Sequence, residues 1–173
     1  MAEFDDDLRR AAADLEAART ELLSVLEGLG DDDLHLSRRG GWPIRDVLLH
    51  VTGGELHHTN GIYSIRGRRK ETGKGSRAGI ATPDDAVHIL KTSRNALMAS
   101  LEGIDEQTFY ALKPLLNEEG HGQSYSVLSV MENVALHDRE HCEQIMAILE
   151  AHVPDLSSRP ASVKGEHGSL DSS

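Results

Sequence analysis

The clearest hydrophobic pattern in the chain lies between residues 127 and 148. Val127, Val130, Val134, Ile145 and Ile148 recur at spacings of three, four and their multiples, the period of one helix face. His137 and His141 fall on that stripe, where an aliphatic side chain is expected. Ser124 or Ser126 supplies a cap and Pro154 a stop, which predicts a helix running to about His152.

Three further stripes precede this one. Phe4, Leu8, Ala11, Leu15, Ala18, Leu22, Leu26 and Leu29 predict a first helix over about 4–29, with its charges on the opposite face. Asp5, Asp6 and Asp7 complement the positive end of its dipole, and Gly28 and Gly30 are stop signals. Pro43 suits the first position of a second helix, whose buried face is Ile44, Val47, Leu48 and Val51 with His50 at its edge. Gly53-Gly54 weakens the middle of that helix, and Leu56, Ile62, Tyr63 and Ile65 carry it on. Thr82-Pro83-Asp84-Asp85 is the signature of a third helix start, and Val87, Leu90, Leu97, Leu101 and Ile104 extend it to about residue 102. Residues 105–125 offer a short turn around Phe109, Leu112, Leu115 and Leu116, broken by Pro114 and Gly120-His121-Gly122.

Four helices of about 20 residues without a strand pattern predict an all-α four-helix bundle over residues 1–152. The Ser-, Gly- and Pro-rich remainder, 153–173, has nothing to bury and is expected to be a disordered tail. Phe, Trp and Tyr make up only 3% of the chain, so aliphatic residues must fill the core, which suits helix packed on helix. Trp42 reads as an aromatic plug at the bundle end.

The net charge of −11 argues against a nucleic-acid partner, whose phosphates an acidic surface repels. Cys142 is the only cysteine, which fits a reducing compartment. The acidic start lacks the apolar core of a secretory signal, and no apolar run is long enough for a membrane span. A soluble cytoplasmic protein is the expectation. One segment departs from the acidic background. Between Arg66 and Arg77, six of twelve residues are Lys or Arg and three are Gly. Arg68, Arg69 and Lys70 are the candidates there for steering an anionic substrate, against the plainer reading of a solvated loop.

Two imidazoles four apart on a helix stand side by side and can share one ion. His50, on another inward face, makes a third donor. Three neutral nitrogens with a vacant position are the usual makings of a catalytic zinc site, while iron, nickel, cobalt and manganese accept the same ligands. The plainer alternative is a pair of hydrogen-bonded core histidines. Asp46 and Asn133, each one turn before a candidate ligand, are candidates to orient His50 and His137. His57 and His58 are spare donors. The sequence is not the HExxH of the zincins, because Asp138 stands where that motif needs its Glu base.

The stretch Gly41-Trp42-Pro43-Ile44-Arg45-Asp46-Val47-Leu48-Leu49-His50 resembles the second-helix signature of the DinB/YfiT-like bundle proteins, with a Trp before the helix and a His eight residues on. Val127 to His141 resembles their fourth-helix H-x-x-x-H. The resemblance implies an up-down-down-up four-helix bundle with a divalent metal held by His50, His137 and His141, and frequent homodimers. It also implies a hydrolase or a transferase using a low-molecular-weight thiol, acting on a small molecule. A non-catalytic bundle that binds or sequesters such a molecule is the alternative. Gly53-Gly54 and the basic segment depart from the family pattern.

Overall fold

The computed structural model describes residues 2–68, 79–114 and 123–152. Four long helices dominate it. They are α1 (Ala2–Ser24), α2 (Ile44–Ile65), α3 (Pro83–Leu101) and, after a five-residue α4 (Glu106–Tyr110), α5 (Val127–Glu150). The region that showed only a turn in the sequence holds α4 and a two-residue antiparallel ladder, β1 (Lys113–Pro114) with β2 (Ser124–Tyr125). The expected tail lies outside the described residues. Among the described residues, no helix is long and apolar enough to cross a membrane.

The helix starts follow their side-chain chemistry. Thr82 Oγ1 accepts from Asp85 N at 3.1 Å while Asp85 Oδ2 accepts from Thr82 N at 3.0 Å, so two orphan amides are satisfied reciprocally. Ser126 and Ser129 make the same exchange at the start of α5, at 3.1 and 3.0 Å. The first helix stops at Ser24, five residues before the expected end at Leu29. Gly28, at φ +80°, takes a backbone form closed to helix, yet Leu26 from the same turn is still buried. Helix α2 runs unbroken through Gly53 and Gly54.

The apolar interior falls into two clusters. One gathers Leu15, Ala18, Ile62, Leu97, Phe109, Val130 and Val134, among others. The second gathers Leu22, Leu26, Val47, Val51, Leu90, Ile145 and Ile148 with their neighbours. Both the start of α2 and the start of α3 therefore lie with the ends of α1 and α5.

Between the clusters sits a layer of charge that the helix pattern did not announce. Arg19 of α1, Glu55 of α2, Arg94 of α3 and Asp138 of α5 are each no more than 3% exposed. Arg19 donates to Asp138 Oδ2 and Glu55 Oε2, both at 2.9 Å. Arg94 donates to Glu55 Oε1 at 2.6 Å and Asp138 Oδ2 at 2.8 Å. Arg19 Nη1 also donates to the Leu90 carbonyl at 2.9 Å, and Arg94 Nη1 to that of Leu15. Ser93 Oγ completes the shell on Glu55. Two cations and two anions cancel, and their donors are spent on carboxylates and carbonyls, which makes burial of four charges tolerable. The expectation that α1 keeps its charges outside is corrected here, because Arg19 faces inward with a partner on each other long helix.

Removing one member leaves an uncompensated charge, so Asp138→Ala should cost about 3–5 kcal/mol. Replacing all four residues by aliphatics of similar volume should cost far less. Urea unfolding of the two variants checks the contrast, and equal losses would show that the layer is not a closed electrostatic unit.

Candidate metal centre

Helix phase brings the three histidines together. Successive residues turn by about 100° around a helix. With Asp138 held inward, His137 and His141 both come to the side of α5 that faces α2, where His50 meets them. His137 Nε2 lies 3.2 Å from His50 Nε2 and 3.1 Å from His141 Nε2. One nitrogen from each ring lies within 4.8 Å of the others. The group stands at the seam between α2 and α5, with His50 exposed and the other two half-buried. The apolar spacing predicts the group on the buried stripe, at the bundle axis. Its position at the seam is a correction, and the reason is that the axis at this level is filled by Asp138 and its arginines.

The donor set can be tested for fit. Two nitrogens bound tetrahedrally at about 2.0–2.1 Å from one ion stand roughly 3.3–3.4 Å apart, close to the two spacings around His137. Without an ion the same contacts are poorly served. A ring Nε2 carries either one proton or one lone pair, so His137 cannot both donate to and accept from its two neighbours. His141 has a partner on its own helix that sequence spacing does not single out. Its Nδ1 lies 2.7 Å from Gln144 Oε1, an acceptor, so Nδ1 carries the proton and Nε2 is left with its lone pair toward the group. Burial, and then the neighbouring His141 and His50 rings, push the pKa of His137 down to about 4, so it is a neutral imidazole at neutral pH. Three imidazole nitrogens grouped so closely are a donor set that suits a divalent cation, and the residues fit one.

The expected supporting residues fare differently. Asp46 turns its carboxylate to Arg45 Nε at 3.3 Å and makes no hydrogen bond to His50 among the described residues. Asn133 is exposed and makes no hydrogen bond to His137 among them. Gln144 does what these two were proposed to do, for His141, from three residues farther along the same helix. His57 is exposed and His58 half-buried, and neither belongs to the three-histidine group. The Nδ1 of His58 is buried and has no partner among the described residues, and desolvation lowers its pKa. Trp42 is no plug. Its ring is half exposed, edge-on to His50 at a centroid distance of 5.1 Å. Asp138, set aside as a zincin-type base, is held by two arginines in the core.

Arg68 follows the end of α2, and the unbroken helix from His50 to Ile65 spans about 22 Å at 1.5 Å per residue. Exposed charges are screened over about 8 Å at physiological ionic strength, so Arg68 exerts little pull at the histidines. Arg69 and Lys70 lie outside the described residues.

The Gln144 contact is open to test. Gln144→Leu should weaken zinc affinity about tenfold, by freeing the His141 ring and its tautomer, with little change in the melting temperature of the metal-free protein. Competition titration against a chelator measures it, and unchanged affinity would deny Gln144 this role.

Comparison with known proteins identifies a family. A family model described as the DinB superfamily matches residues 14–145, a span that holds all three histidines and all four members of the charged layer. No curated protein and no solved structure matches the chain. The match covers well over half of the sequence, and the chain belongs to the DinB superfamily.

Proposed function

We propose that the chain binds one divalent metal ion through His50, His137 and His141 and uses it on a small molecule, as a hydrolase or a thiol-dependent transferase. The observation that carries this reading is the convergence of three imidazole nitrogens, one with its tautomer fixed from outside. An ion held there would lower the pKa of water or a thiol, or polarise a substrate. The chain's own contribution is to hold the three rings in place, with His50 and Trp42 exposed beside them. A homodimer and a cytoplasmic setting belong to the same proposal.

A second reading, capture of a reactive ligand without turnover, has one observation in its favour. Two carboxylates close to the group in sequence, Glu55 and Asp138, are turned into the core and bound by arginines. Neither is at hand as a general base. Catalytic turnover against stoichiometric protection separates the two readings.

Freshly purified protein should contain about one divalent ion per chain. His137→Ala and His141→Ala should lose most of it, while His88→Ala, exposed on α3, should keep it. Equal metal content in all three would sink the site. Trp42 is the only tryptophan and stands against His50, so titration of metal-free protein with Ni²⁺ should quench its fluorescence with one-site saturation. Chelation should lower the melting temperature without unfolding the bundle, because the ion stabilises the fold only by mass action, about 2.7 kcal/mol at a hundredfold excess over Kd.

A further inference from the structure

Gly54 lies one helical turn beyond His50 on α2, and His137 lies against it. A Cβ placed at residue 54 would stand 3.1 Å from His137 Cε1, 3.7 Å from its Nε2 and 3.8 Å from its Nδ1. At Gly53 a Cβ would meet nothing within 4 Å. The two glycines are alike in sequence and opposite in surroundings. Neither has a positive φ, so neither is demanded by backbone conformation. Glycine inside a helix is unfavourable relative to alanine, and one kept there usually marks close approach by another group. Only at residue 54 does such a group stand.

The approaching ring has little room to yield. Its Nε2 faces His50 on one side and His141 on the other, at 3.2 and 3.1 Å. Its backbone is fixed by the next residue, Asp138, which two arginines hold. A methyl group at residue 54 would therefore push the imidazole rather than the helix. Metal–ligand distances tolerate only about 0.2 Å, so a displacement of a few tenths of an ångström suffices to spoil a donor.

We infer that Gly54 is a positioning residue of the metal centre: its missing side chain lets the His137 ring lie against α2, where its Nε2 meets those of His50 and His141. The inference rests on the metal-binding reading above. Gly53 has no such part, and its replacement by alanine is a gain in helix propensity alone.

The experiment uses the full chain as wild type, Gly53→Ala, Gly54→Ala, His137→Ala and the double variant Gly54→Ala/His137→Ala. Zinc affinity is read by competition with a chelator, coordination by the visible spectrum of the Co²⁺ form, and stability by melting of the metal-free proteins. Gly54→Ala should bind zinc about tenfold or more weakly and shift the Co²⁺ spectrum. Gly53→Ala should bind as wild type does and melt a few degrees higher. In the absence of the His137 ring the methyl group has space, so the double variant should melt above His137→Ala.

Wild-type affinity and spectrum in Gly54→Ala would overturn the inference while leaving the metal site standing. A wild-type protein that binds no zinc would overturn the metal reading and the inference with it. If Gly54→Ala alone does not fold, the double variant decides. Melting below His137→Ala would show that residue 54 is held by packing other than the ring, and would overturn the inference.

Discussion

Four charges closed on one another in the middle of the bundle constrain the rotation of every long helix. A guanidinium is a planar fork, and each of the two here must meet carboxylates from two different helices. That requirement orients Glu55 on α2 and Asp138 on α5 toward the same point. Their sequence neighbours, Gly54 and His137, are then each turned about 100° away, and they turn toward one another. His50, five residues before Glu55, and His141, three after Asp138, come to the same seam. The candidate site is in this sense a by-product of the core's electrostatics, carried one residue to the side.

The sequence shows the apolar halves of the bundle well and the charged layer poorly. Stripes of three and four locate the four long helices because aliphatic burial has no other way to repeat along a helix. Thr82 and Ser126 mark helix starts because a hydroxyl is among the few side chains that can satisfy the orphan amides there. The layer was hidden for a different reason. Arg19 follows Leu15 by four, Asp138 follows Val134 by four and Arg94 follows Leu90 by four, so each sits on its stripe. One charged residue on a stripe reads as its edge, though. Only four of them, summing to zero on four helices, read as a layer, and that sum needs the tertiary arrangement.

The histidines were legible as a group and misplaced in depth. Their spacing on α5 put both on one face, and His50 was found from its place among aliphatic residues on α2. The stripe averages over a wide arc, so it could not tell the centre of the face, where Asp138 sits, from its edge, where the rings sit. Asp46 and Asn133 each stand one turn before a ligand, His50 and His137, whereas the partner of His141 lies one turn after it, where spacing alone gives no reason to look. Gly54 was visible only as a weakness in a helix. Its close approach to a ring on another helix is a tertiary fact that no single helix records.

The depth of the site bears on how a metal could act there. In small zinc domains the ion supplies the folding energy, because nothing else brings the ligands together. Here α2 and α5 are already joined through Arg19 and Arg94, each of which holds both Glu55 and Asp138. These ion pairs tie the two helices together without help from the rings, so an ion bound at the seam would not have to supply that ordering. The aliphatic clusters and the charged layer hold the fold, so an ion at the seam, beside the exposed His50 and Trp42, would not be needed for structure.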